Sequence, residues 1–277
     1  MKFTAHNVLL SNGQTTMGPE MPLLAKSAVW KSIVNTLQLL NLLPESAEQR
    51  RKIRVADLGC LEGGYALEFA KLGFDTVGIE AREDNLVNCN FLKEDAGLDN
   101  LNFVKDDVRN IGNYGDFDIV LCYGLLYHLN DPVAFLNLLG KHTTKLLLLN
   151  THFAPIRDFR YELGPINNFI IGPVQKRMKS LASAQNYRLS KLTTNEGYQG
   201  RWYREWSPSA GQKKIESLLW ASYNNDRSFW LKKTDLTKVM HKAGFTSVFE
   251  QFDYTGDIFP ENYTDYHSRA MFVGIKH

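Results

Sequence analysis

Residues 55–80 constrain what this chain can fold into more than any other stretch. They read Val-Ala-Asp-Leu-Gly-Cys-Leu-Glu-Gly-Gly, then a helical segment, then Asp-Thr-Val-Gly-Ile-Glu. An apolar strand, a glycine turn, a helix and a second strand ending on an acid make half of a nucleotide-binding βαβ unit. Gly59 lets the chain leave the first strand sharply, and Gly63 and Gly64 are expected to admit a ligand where a Cβ would collide. Glu80 stands where a carboxylate can accept from both ribose hydroxyls. Cys60 and Leu61 follow Gly59, so the loop is not the Gly-x-Gly-x-x-Gly of dinucleotide sites, and a pyrophosphate on the helix N-terminus is less well supported. A ligand with ribose and no phosphate fits better.

Around this unit, strand and helix patterns alternate: strands at 53–57, 76–80, 101–104, 117–122 and 145–150, helices at 65–72, 82–98 and 131–140. Such alternation predicts an α/β fold with a doubly wound, mostly parallel sheet. Ligands of such sheets sit beyond the C-terminal strand ends, so Glu80, Asp107, residues 122–124 and residues 150–152 should share one crevice. Before the unit lies a polar arm and then an apolar stripe at helical spacing, Val29, Trp30, Ile33, Val34, Leu37 and Leu40, which should pack on the sheet. Its polar face carries too few charges for a membrane-surface helix. After residue 154 the alternation fails until a helix at 235–243 and strands at 248–254 and 270–275.

Four features in this order, Asp57-x-Gly59-x-x-x-Gly63, Glu80, Asp107 and the block from Phe117 to Leu129, resemble the class I S-adenosylmethionine (SAM) dependent methyltransferases. The resemblance covers roughly residues 50–150 and implies a seven-stranded sheet. It divides the chain into an N-terminal arm and helix (1–48), a cofactor-binding core (49–155), an inserted substrate cap (156–234) and a closing helix with strands (235–277).

It also implies roles. Gly59, Cys60, Leu61 and Gly63 would pass beneath the methionine portion of SAM, with Asp57 orienting its amino group. Glu80 and the adjoining Ala81 would serve the ribose. Asp107, in preference to the neighbouring Asp106, would accept from the adenine amino group beside the Val108 amide. Cys122, Tyr123 and Gly124 would flank the transferred methyl. His128 is the first choice of base for an acceptor proton, with a purely local bonding role as its alternative. His152 is the second choice, and His267 a distant third. Tyr127 could stack on adenine or meet the substrate, together with His128.

The 156–234 segment concentrates aromatics, among them Phe159, Tyr161, Phe169, Tyr187, Tyr198, Trp202, Trp206, Trp220 and Tyr223. Tyr198, Trp202 and Trp206 are expected to contact substrate, since aromatic faces bury apolar, cationic or carbohydrate groups. The segment could equally form a small core of its own.

Composition sets outer bounds. Charged residues make up 22% and the formal charge is +2, which gives no argument for nucleic-acid binding by itself. The three cysteines, Cys60, Cys89 and Cys122, lack zinc-site spacing, so no metal is expected and a cytoplasmic location is the natural reading. The leading expectation is a SAM-dependent methyltransferase, releasing S-adenosylhomocysteine, that acts on a hydroxyl or amine of a small molecule such as a natural product or sugar. No membrane and no nucleic-acid partner is expected, and the oligomeric state stays open. Residues 156–232 nevertheless hold 13 Lys or Arg against 6 Asp or Glu, including 176–179 and 213–214. The stretch 124–128 also resembles tRNA wobble-uridine carboxymethyltransferases, so a tRNA-modifying enzyme is the alternative within catalysis. A non-catalytic SAM-binding scaffold is the alternative outside it.

Overall fold

The computed structural model describes residues 2–155, 189–207, 210–251 and 268–277. Strands β1 (Arg54–Leu58), β2 (Asp75–Glu80), β3 (Leu101–Lys105), β4 (Phe117–Tyr123) and β5 (Thr143–His152) run parallel. Three strands, β6 (Thr193–Asn195), β7 (Tyr198–Arg204) and β8 (Arg227–Leu231), form a separate antiparallel sheet. The last two, β9 (Ser247–Gln251) and β10 (Arg269–Ile275), rejoin the first, whose order is β3-β2-β1-β4-β5-β10-β9 with β10 antiparallel to both neighbours. The direction of winding reverses at β1, with β2 on one side and β4 on the other, and that reversal opens the crevice. The seven-stranded, mostly parallel sheet expected from the sequence is present.

Both faces of the sheet are covered, so strand side chains bury in alternation. In β4, Ile119 and Leu121 face one core cluster while Val120 and Cys122 face the other; in β5, Leu146 and Leu148 oppose Leu147 and Leu149 in the same way. The first cluster is closed by helix α1 (Ala28–Leu39), whose Trp30, Ile33 and Leu37 are buried, and by α3 (Gly64–Lys71), whose Phe69 meets Trp30 edge-on with centroids 5.1 Å apart. The short α2 (Ala47–Arg51) precedes β1, and α4 (Glu83–Ala96) follows β2. The second cluster is closed by α5 (Pro132–His142) and, beyond the exposed α6 (Gln212–Ser217), by α7 (Lys233–Lys242). The amphipathic stripe therefore packs on the sheet, but its helix starts at Ala28, because the Ser27 side chain accepts from the Trp30 amide at 3.1 Å and caps it there.

The small sheet docks on the chain that leaves β4. The Phe229 amide donates to the Leu129 carbonyl at 2.8 Å, and the Trp230 indole donates to the Tyr127 carbonyl at 2.9 Å. Its aromatics mostly serve packing. Trp202 meets Phe229 edge-on at 5.0 Å, and Tyr203 stacks on Trp230 at 4.8 Å. Phe159, Tyr161, Phe169, Tyr187, residues 176–179 and His267 lie outside the described residues.

Candidate active site

A cavity of about 400 Å³ opens at the C-terminal ends of β1, β2 and β4. Asp57, Gly59, Cys60 and Leu61 line it from the first strand and its turn, Glu80 and Ala81 from the second, and Asp107 and Val108 from the segment after β3. Tyr123, Gly124, Tyr127 and His128 complete the far wall. These twelve expected residues, scattered over 72 positions, are brought to one space by the sheet alone.

Each acid in the cavity has defined hydrogen-bond partners. Asp57 is buried at the end of β1 and accepts from the Ala66 amide in the first turn of α3 at 3.1 Å. Burial pushes its carboxyl up to about 7, the amide pulls it down, and nearby Glu80 pushes it up further. Glu80 accepts from the Leu61 amide at 3.0 Å and the Arg82 amide at 2.8 Å. Its carboxyl is also raised by burial, against the pull of those amides and Asn85. Leu61 holds a left-handed φ of 52°, a strained position for a residue with a side chain, fixed by that bond to Glu80. Asp107 accepts from Arg109 and, at 3.1 Å, from the Asn224 side chain. Asp106 turns away to Asn110 and Tyr114 and does not line the cavity.

The set of acceptors and apolar walls fits SAM. A buried carboxyl that burial has left short of a cation suits an ammonium group, a strand-end acid suits a diol, and the aromatic and apolar wall around Val108, Trp220 and Tyr223 suits a base.

Opposite the acids, His128 places its Nδ1 2.9 Å from Glu205 Oε1 and 3.1 Å from Oε2. Glu205 is almost fully buried and is held by the Ser228 hydroxyl at 2.7 Å and the Ser222 amide at 3.2 Å. A carboxylate on Nδ1 fixes the imidazole with its Nδ1 proton toward Glu205 and its Nε2 lone pair free to accept.

Seven expectations need correction. Gly63 does not line the cavity: a Cβ there would meet Phe103 at 2.6 Å, so its bareness serves packing, and Gly64 likewise makes room for His6, also at 2.6 Å. Cys122 falls on the core face of β4, and burial pushes its thiol up to about 12. His152 stands behind Tyr127, stacked on Trp230 at 4.5 Å with Nδ1 3.2 Å from the Ser268 carbonyl, and does not line the cavity. Tyr198 packs on the core beneath the Lys242 ammonium, Trp202 against Phe229, and Trp206 also stays outside the cavity lining. Among the described residues of this segment, the aromatics that enter the cavity are Trp220 and Tyr223.

Several functional candidates have no local signal in the sequence. Arg82 is buried beside Glu80 and donates to the carbonyls of Ile215, Ala221 and Ser222, which ties the 215–223 segment over the cavity. The N-terminal arm contributes Ala5 and His6 to the lining. Glu62 accepts from the amides of Thr4, Ala5 and His6 at 2.6 to 3.1 Å, and His6 Nδ1 accepts from the Gly64 amide at 3.1 Å. Among the described residues there is no cluster of metal-ligating side chains, and no helix is long and apolar enough to cross a membrane.

The family model of a methyltransferase domain matches residues 49–192, just over half of the chain. Among curated proteins, the chain is 29% identical over 142 residues to a tRNA U34 carboxymethyltransferase of Campylobacter fetus subsp. fetus, covering 48% of each chain. It is 34% identical over 86 residues to a ubiquinone biosynthesis O-methyltransferase of Cereibacter sphaeroides, covering 30% of this chain and 34% of that one. The matched part thus spans about half or less of these relatives' length. Among solved structures, the N-terminal domain of EvdMO1, crystallised in the presence of S-adenosylhomocysteine and D-fucose, superposes with a TM-score of 0.63 at 21% identity, covering 98% of this chain and 91% of that chain. Magnesium protoporphyrin IX methyltransferase from Synechocystis PCC 6803, with bound SAM, gives 0.50 at 16% identity, with 89% and 77% covered. Sheet order, cavity chemistry and the matched domain agree: the chain belongs to the methyltransferase domain family, within the class I SAM-dependent methyltransferases.

Proposed function

We propose that the protein transfers a methyl group from SAM to a hydroxyl of a small molecule, with His128 as general base and Glu205 as its positioning partner. The observation that carries this reading is the 2.9 Å contact between His128 Nδ1 and a buried glutamate, with the imidazole lining the cofactor cavity. A neutral amine needs no base before attack, whereas a hydroxyl must lose its proton as the new bond forms, so an anchored imidazole favours O-methylation over N-methylation.

In this reading Asp57 meets the cofactor's ammonium group, Glu80 its ribose, and Asp107 with the Val108 amide its adenine. The cofactor, when bound, supplies an activated methyl on a sulfonium. His128 accepts the acceptor's proton at Nε2, and Glu205 keeps the Nδ1 proton in place and balances the charge gained. Arg82 and Asn224 hold the 215–224 segment across the opening, which excludes water from the reacting atoms. Single-turnover methyl transfer from radiolabelled SAM tests the assignment: His128→Gln should lower the rate about 10²- to 10⁴-fold with S-adenosylhomocysteine affinity retained. A rate within a few-fold of wild type rejects the base.

A tRNA acceptor is the second reading, favoured by the 29% identity to a tRNA U34 carboxymethyltransferase. The basic excess of residues 156–232 supports it less than its size suggests. Arg201, one of those residues, is fully buried and bonded to the carbonyls of Pro155 and Ser190. Label appearing in bulk tRNA and in no small hydroxy compound would decide for it.

A further inference from the structure

Among the described residues, three guanidinium groups reach the cavity, and two are committed to the protein. Arg82 donates to three carbonyls of the covering segment, and Arg109 donates to Asp107, Asn130 and Asp131. Arg269, at the start of β10, differs. Its Nε donates to Asn150 Oδ1 at 2.7 Å and its guanidinium lies 5.4 Å from the centre of the Tyr127 ring, so its direction is fixed. No carboxylate among the described residues pairs with it, and its two terminal nitrogens keep their donors.

The Tyr127 hydroxyl likewise has no hydrogen-bond partner among the described residues. Burial holds that phenol above its ordinary range, which keeps it a donor. The two donors converge. A Cβ built on Gly124 would lie 3.5 Å from the Tyr127 hydroxyl and 3.7 Å from Arg269 Nη2, so both flank the bare backbone of Gly124. The Tyr127 and His128 rings are 4.2 Å apart, which puts this pair of donors next to the base.

We infer that Arg269 and Tyr127 form an anion-binding subsite, and that the methyl acceptor is a small hydroxy acid whose carboxylate or phosphate is held there while its hydroxyl faces His128. A planar guanidinium with both ends free matches the two oxygens of such a group, and a phenol can add a third bond. The cofactor's positive charge makes an anionic acceptor more favourable still. This inference rests on reading the cavity as the site of hydroxyl methylation.

The test is binding to protein saturated with S-adenosylhomocysteine, read by calorimetry, and it does not depend on turnover. The probes are 4-hydroxybenzoate and lactate, their neutral amides, and glycerol 3-phosphate. Each acid should bind about 10-fold more tightly than its amide, an effect kept modest because the Arg269 guanidinium is partly solvated. Arg269→Gln should erase the difference while S-adenosylhomocysteine affinity stays within two-fold, and Tyr127→Phe should reduce it. Tighter binding of the phosphate than of the carboxylates supports the subsite and names its group. Equal binding of acids and amides overturns the inference, as does failure of every acid to bind at millimolar levels or binding of an oligoribonucleotide alone. A large loss of S-adenosylhomocysteine affinity in Arg269→Gln overturns it too, since the guanidinium would then serve the cofactor. His128→Gln should leave the acid preference intact, so failure of the base and failure of the subsite give different results.

Discussion

His128 Nδ1 and Glu205 Oε1 stand 2.9 Å apart although 77 positions separate them in the chain. Glu205 is reached through the small sheet: its carboxylate is fixed by Ser228 on β8, and its backbone amide by the Asp226 carbonyl at 2.8 Å. Residues that act as a unit lose function together. Glu205→Gln should slow single-turnover methyl transfer about 10- to 100-fold, and the double variant with His128→Gln should be no slower than His128→Gln alone. Fully multiplicative losses would show that Glu205 acts apart from the imidazole.

Asp57 should couple cofactor binding to proton release. Its carboxyl titrates near 7 in the free protein, so near neutral pH about half of it is protonated, and an ammonium partner favours the charged form. The folded value lies above the unfolded one, so this group stabilises the fold below pH ~4 and costs about 4 kcal/mol once ionised above pH ~7. Calorimetry of S-adenosylhomocysteine binding at pH 7, in buffers of different ionisation enthalpy, should report release of about half a proton. Asp57→Asn should abolish it; a buffer-independent enthalpy in the wild type would refute the assignment.

His6 makes the opposite pH contribution. Burial lowers its imidazole to about 4, partly offset by Glu62, and Nδ1 accepts from the Gly64 amide, which it can do only unprotonated. The folded value lies below the unfolded one, so the stabilisation is complete above pH ~6.5 and fades as pH falls toward ~4, by about 3 kcal/mol. The stability difference between wild type and His6→Gln, measured by urea unfolding, should therefore shrink by about that amount between pH 7 and pH 4. A pH-independent difference would mean that the arm's docking does not depend on a neutral His6.

Arg82→Met should release the 215–223 segment. Three carbonyls lose their donor, and Tyr223 loses the cation held 5.3 Å from its ring centre. Hydrogen exchange should speed up in residues 215–225 while β1 and β4 remain protected, and S-adenosylhomocysteine should bind more weakly. Exchange confined to its wild-type rate would show that the segment is held from elsewhere.

The sequence by itself determined the sheet and the acidic half of the site. Strand periodicity, the glycine turn and acids at strand ends are local patterns, and in a doubly wound fold local patterns fix position, because every parallel strand ends on the same edge. Asp57, Glu80 and Asp107 could be placed on that ground. What strand patterning does not tell is which partner a side chain meets across the fold. Gly63 and Gly64 look like ligand glycines in sequence, yet Phe103 and His6 occupy the space they leave. Cys122 adjoins Tyr123 and Gly124, but alternation along β4 sends it into the core. Only the tertiary structure brought Glu205 behind His128, Arg82 under the covering segment, the arm's His6 against Gly64, and Arg269 beside Tyr127. Each of these pairs joins distant segments through contacts between side chains, or between a side chain and backbone. No spacing rule encodes them, because their geometry is fixed by how the second sheet, the arm and β10 pack on the first, not by the period of any one element.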